Sequence, residues 1–191
     1  MNKKRKRQLP VRKQQNEFIT PAILRRTIRN VLPFYREIVR NPAYSAAWVQ
    51  AVNTIDFVQM ERLFQKVSHA PIAELGSGYS FGFRTPMRDR LYVNGFFLDP
   101  AQSKYKVGEH LVVVQAILPL YLRLATDIPF ATRVTAAINS GNTTRLNNLI
   151  RGLIRSRFLL TIRAQDSGFR ISFRFPISRK IYTNYILLGV G

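Results

Sequence analysis

Residues 157–176, RFLLTIRAQDSGFRISFRFP, leave the chain little conformational choice. Large apolar side chains alternate with cationic or hydroxyl ones on both sides of a short polar break. Period-2 alternation is the signature of a half-buried strand, and Asp166–Ser167–Gly168 has the chemistry of a tight turn, so the stretch predicts an antiparallel hairpin. Its inward set is Phe158, Leu160, Ile162, Phe169, Ile171, Phe173 and Phe175. Its outward set is Arg157, Thr161, Arg163, Arg170, Ser172 and Arg174. IYTNYILLGVG, which follows, reads as a final strand.

A sheet that is apolar on one face needs a cover, and residues 20–67 supply helices. Thr20 followed by Pro21 is an N-cap with proline at the first helical position. Ile23, Leu24, Ile28, Val31 and Leu32 then share a stripe, and Pro33 is expected to kink or interrupt the helix before FYREIVR. Asn41–Pro42 restarts a helix that carries the single tryptophan, Trp48. Asn53 or Thr54 is expected to cap a third, in which Ile55, Val58, Leu63 and Val67 face the core. Beyond Pro71, GYSFGFR and RLYVNGFFLDP read as aromatic strands, the second ended by Asp99–Pro100. Residues 101–110 read as a loop. The segments 111–118 and 127–139 fit strand or helix equally, whereas TTRLNNLIRGLIRSR has a helical face of Leu146, Leu149, Ile150, Leu153 and Ile154. No internal repeat is evident. The fold class expected is α+β: N-terminal helices, then a mainly antiparallel sheet, preceded by a disordered basic arm. Residues 1–17 would be the arm and 18–191 one domain, with a helical section at 20–67 and a strand-rich section at 72–191.

Charge bounds the function. The chain holds 30 Lys and Arg against 10 Asp and Glu, a formal net charge of +20. Such a surplus repels itself and attracts polyanions. Of the 30 cations 22 are Arg, whose planar fork matches phosphate oxygens. Lys3, Lys4, Arg5, Lys6, Arg7, Arg12 and Lys13 crowd the first thirteen residues, a segment with too few apolar groups to fold alone. A second basic group is the outward face of the hairpin, Arg157, Arg163, Arg170 and Arg174, with Arg179 and Lys180 just after it. Arg25, Arg26, Arg29, Arg36 and Arg40 form a third along the first helix.

Catalytic patterns are sparse. The absence of cysteine excludes disulfides, Cys-ligated zinc and thiol catalysis. The ten carboxylates stand almost singly, and most are expected to pair with arginines or cap turns. His69 and His110 have no metal-ligand spacing, and the glycines of ELGSGYSFGF do not form a phosphate loop. No cofactor or metal is expected, and a magnesium-dependent nuclease built on Asp99, Lys104 and Glu74 is a minor alternative. LVVVQAILPLYLRLA (111–125) is short and interrupted for a membrane span. No secretory signal follows the basic start.

These features predict a non-enzymatic, nucleic-acid-binding structural protein of the virion or cytoplasm, with the arm neutralising phosphate on RNA or DNA and the body associating with itself. An arginine-rich arm ahead of a strand-rich body resembles the layout of small virus coat or packaging proteins. It is also similar to that of ribosome- and nucleoid-associated proteins. A third possibility is a peripheral protein of anionic membranes, because TTRLNNLIRGLIRSRF has basic amphipathic character.

Overall fold

The chain runs through three helices and three strands, and then does so again. The computed structural model describes residues 18–72, 74–76, 78–86, 90–100, 103–165 and 167–190; the predicted arm and Asp166 lie outside them. The first half contains α1 (Pro21–Arg40), α2 (Pro42–Asn53), α3 (Phe57–Gln65), β1 (Glu74–Gly76), β2 (Tyr79–Arg84) and β3 (Arg90–Asp99). The second contains α4 (Val107–Thr126), α5 (Ile128–Asn139), α6 (Thr143–Ile150), β4 (Leu159–Gln165), β5 (Gly168–Phe175) and β6 (Lys180–Val190). The strands form one wholly antiparallel sheet in the order β1-β2-β3-β6-β5-β4, so each half is a meander and the two join along β3 and β6. The α+β class is as expected, but the strand-rich section is interrupted by three helices. Helix α4 begins inside the segment read as a loop, and both ambiguous segments are helical.

Local chemistry explains the helix boundaries. The Thr20 side chain accepts from the Ile23 amide, and Asn41 and Asp127 do the same for α2 and α5. Each satisfies an amide that the first helical turn leaves without a partner. Helix α1 continues through Pro33 without interruption. Leu32, Phe34 and Tyr35 around it are buried, and their packing offsets the hydrogen bond that proline cannot donate. Helix α4 passes through Pro119 in the same way. The cap of α3 is neither Asn53 nor Thr54 but Asp56, which accepts from the Gln59 amide at 2.9 Å. To reach that cap the chain turns at Ile55 with φ 56°, which leaves Ile55 and Val58 68% and 69% exposed rather than buried.

The halves match position by position. Pro33 and Pro119 both lie in a Leu-Pro-x-Tyr sequence, twelve residues beyond the start of their helices. Ile55 and Gly141, each one residue before an N-cap, both have positive φ. The Asn53 amide brackets the backbone of Tyr105, while Asn139 brackets Ile19. Each half thereby anchors the segment leading into the first helix of the other. In the sheet, Tyr92 and Asn94 of β3 correspond to Tyr182 and Asn184 of β6. The pairs Tyr92–Leu188 and Leu98–Tyr182 are equivalent about the central pair Gly95–Tyr185. The chain therefore contains an internal repeat of pseudo-twofold topology. Sequence reading misses it because the matching residues lie 86 positions apart in the helices but 90 apart in the strands.

One hydrophobic core draws on both halves. Phe34, Trp48, Phe64, Tyr79 and Phe81 interlock with centroid separations between 4.3 and 6.0 Å, tilted or edge-on, as ring quadrupoles favour. Where α1 and α4 meet the β3–β6 seam, four buried polar side chains satisfy one another. Tyr35 donates to the Asn94 carbonyl oxygen at 2.7 Å, the Asn94 amide donates to the Tyr121 hydroxyl at 2.7 Å, and that hydroxyl donates to Asn184 at 2.8 Å. The asparagine amides also reach the Tyr185 and Gly95 carbonyls across the seam. Buried polar groups persist only when paired in this way.

The hairpin forms as expected, with Gln165 opposite Gly168 and Ser167 at φ 52° in the connection. A Cβ on Gly168 would lie 1.8 Å from the Ile186 carbonyl oxygen, so only glycine lets β5 approach β6 there. Leu160 departs from the inward set. A bulge between Leu159 and Thr161 turns it outward, and it is 37% exposed.

Candidate nucleic-acid interface

Alternation along the strands divides the sheet into two unlike faces. The described helices pack on the face that carries Tyr79, Phe81, Phe96, Ile162, Phe169, Ile171 and Phe173, all buried. The opposite face presents Arg84 of β2, Val93 and Phe97 of β3, Tyr185 and Leu187 of β6, Arg170 and Arg174 of β5, and Arg163 of β4. Arg84, Arg163 and Arg174 are exposed, and the others are half-buried. From β2 to β6 the strands contain one carboxylate, Asp99.

Register places these groups in rows across the sheet. Arg163 is directly opposite Arg170, which is opposite Tyr185, which is opposite Gly95. Directly opposed like charges destabilise a sheet by a few tenths of a kcal/mol to about 1 kcal/mol. The side chains of Arg84, Arg163 and Arg174 form no ion pair or hydrogen bond among the described residues. The Phe97 and Tyr185 rings meet at 5.9 Å, and the Arg170 guanidinium lies 5.6 Å from the Phe97 ring centre. Arg26 of α1 and Arg84 line one cleft at the end of β2, extending the basic surface toward the helices.

Of the residues singled out by sequence, Arg163, Arg170 and Arg174 come together on this face. Arg157 precedes β4 and holds its guanidinium 4.9 Å from the Phe158 ring. Arg179 stands exposed in the β5–β6 turn at φ 56°. Lys180 falls outside the group, because alternation from Tyr182 turns it to the helix side, where its ammonium donates to the Lys104 carbonyl. Lys3, Lys4, Arg5, Lys6, Arg7, Arg12 and Lys13 lie outside the described residues. Arg84, Phe97 and Tyr185 were not anticipated. The alternation in RLYVNGFFL and IYTNYILL could have assigned the two rings to the outward side, once the inward partners were known.

Three of the helix α1 cations, Arg25, Arg29 and Arg40, serve the fold instead, while Arg26 and Arg36 are exposed. Arg25 and Arg29 donate to the Ala125 carbonyl at 3.1 and 3.2 Å, which caps the C-terminal end of α4 with positive charge. Arg40 pairs with Glu37, whose carboxyl is held below its ordinary range by hydrogen bonds from Asn41 and Arg40. Other carboxylates are similarly engaged. Asp127 accepts from the Phe130 amide and pairs with Arg123, and Glu109 accepts from the Tyr182 hydroxyl. Among the described residues no three His, Asp or Glu side chains converge as a metal site.

Two apolar helical segments bear on membranes. Helix α4 has the length and composition to cross a bilayer, but Val113, Val114, Ile117, Leu120 and Leu124 are wholly buried in the core. Helix α6 and the 3-10 turn after it, Arg151–Leu153, bury Leu146, Ile150 and Ile154. Asn147 and Thr143 also bond to the backbone of β4 at the sheet's edge. Comparison with protein-family models, curated proteins and solved structures gave no match.

Proposed function

We propose that the protein is a non-enzymatic nucleic-acid-binding protein that holds phosphate on the uncovered face of its sheet. The observation that carries this reading is the row of arginines left facing outward with a single carboxylate, Asp99, on the strands that bear them. A polyanion would relieve their mutual repulsion, and Arg forks suit phosphate. The seven cations in residues 3–13 add a second, sequence-independent attraction from the same chain. A membrane role finds less support, since the amphipathic segment offered for it spends its apolar side on the core.

The test is the salt dependence of binding to nucleic acid by the full chain and by a triple Arg84→Gln, Arg163→Gln, Arg174→Gln variant. Each lost phosphate contact flattens the slope of log K against log salt by about 0.7–0.9. The triple variant should therefore lose about 2–3 from the slope. An unchanged slope and affinity would remove the sheet face from the interface. Light scattering on the purified complex tests the coat or packaging form of the proposal, in which protein and nucleic acid elute together as large particles.

A further inference from the structure

We infer that the ligand on this face is single-stranded, with unpaired bases stacking on Phe97, Tyr185 and the guanidinium of Arg170. The inference rests on the nucleic-acid reading above and adds what kind of strand is held and by which groups.

Three observations carry it. The first is geometric. Phe97 and Tyr185 sit on β3 and β6, the two central strands, with rings 5.9 Å apart, partly exposed and on the face opposite the buried one. Arg170 continues the same surface at 5.6 Å. The two ring planes are tilted by 42° and the guanidinium lies over the Phe97 ring, so the three groups form one stepped aromatic and cationic platform, with Arg163 and Arg174 beside it. Aromatic rings and guanidinium planes bind bases through their faces.

The second is the repeat. Facing the core, Tyr92 and Tyr182, Asn94 and Asn184, and Phe83 and Phe173 are identical, and Tyr79 and Phe169, Phe81 and Ile171, and Phe96 and Ile186 are large and buried in both halves. On the open face Arg84 and Arg174 correspond, whereas Tyr185, Arg170 and Phe97 have Gly95, Ser80 and Leu187 as their counterparts. The same strand arrangement is therefore built without any of the three, so the fold does not require them.

The third is what a duplex would need. Base faces in a duplex are covered by their neighbours, and its base edges lie at the bottom of grooves. Rings that are half-buried in a sheet cannot reach those edges. Unstacked bases can descend onto them. A second copy of the chain is a poor occupant, because it brings the same arginines to a protein already at +20.

The experiment uses the full chain with a fluorescently labelled oligothymidylate and a duplex of the same length, read by anisotropy at several salt concentrations. Phe97→Leu, which installs the counterpart residue, and Tyr185→Leu should each weaken oligothymidylate binding about tenfold, leaving duplex binding and the salt slope unchanged. Equal losses on both probes, or no loss on either, overturn the platform. Ultraviolet crosslinking of the unmodified protein to oligothymidylate needs no variant to fold. Crosslinks at Phe97 or Tyr185 support the platform, whereas crosslinks confined to residues 3–13 overturn it but leave nucleic-acid binding standing. If the unmodified chain binds neither probe, the nucleic-acid reading itself falls, and the platform with it.

Discussion

Lowering the pH from 7.5 to 5 should cost this protein about 2 kcal/mol of stability through one side chain, His110. The imidazole is wholly buried near the start of α4, with Nε2 2.7 Å from the Tyr79 hydroxyl and Nδ1 without a partner among the described residues. Phe96 and Tyr105 complete its surroundings, so no charge compensates a proton there. Burial lowers its pKa from 6.5 to about 3. Below pH 6.5 the unfolded chain takes up a proton that the folded one refuses until about pH 3, so stability is full above 6.5 and falls throughout that window. Each pH unit well inside it costs about 1.4 kcal/mol, which gives the 2 kcal/mol loss at pH 5. Glu37 and Asp127, both held below the ordinary carboxylate range, lose their contributions only at lower pH. The assay is urea unfolding at fixed ionic strength between pH 5 and 7.5, on the natural chain and on His110→Leu. Leucine occupies the matching position, Leu24, in the first half. The variant leaves the Tyr79 hydroxyl without its partner at every pH, so it should be less stable at pH 7.5 yet much flatter in its pH response. Identical slopes for the two proteins would refute a neutral, enclosed His110.

Two further outcomes follow from the repeat. Asn184→Ala removes the acceptor of the Tyr121 hydroxyl and the donor to the Gly95 carbonyl, and leaves space at the seam. It should cost about 2–4 kcal/mol in urea unfolding, and a loss under about 0.5 kcal/mol would show that the polar cluster is not closed as described. Ile55→Gly should raise stability by up to about 1 kcal/mol. A β-branched residue is strained at φ 56°, and Gly141 fills the equivalent place. Calorimetry that shows a lower Tm for the glycine variant would contradict the left-handed turn.

Sequence was most informative where one force acts alone. The hairpin at 157–176 is dictated by side-chain alternation, so both strands and their inward faces were legible, apart from Leu160 at the bulge. The helix starts at Thr20 and Asn41 were legible for a similar reason, each cap being a local hydrogen bond. Segments 111–139 were not. A helix buried on most of its sides, such as α4, loses the polar stripe that would mark its period. The open face was half legible. The hairpin arginines stood out by charge, but Phe97 and Tyr185 had no assigned face until strand pairing fixed which neighbours faced the helices. Arg25 and Arg29 show the opposite error, since tertiary structure turned apparent surface cations into a cap for α4.

The β3–β6 seam also bears on how the chain reaches its native state. Each meander closes through neighbours in sequence, but β3 waits for a partner whose first residue is 81 positions beyond the end of β3, at Lys180 after Asp99. In that interval a ten-residue edge lies open. Because the halves follow one pattern, β3 of a second molecule can meet it in the same antiparallel register that β6 would take, with Tyr92 against Leu98 in place of Leu188. Pairing between molecules would then reproduce the native joint closely enough to trap two half-folded chains as a dimer joined β3 to β3. Dilution, which keeps the copies apart until β6 arrives, favours the monomeric sheet.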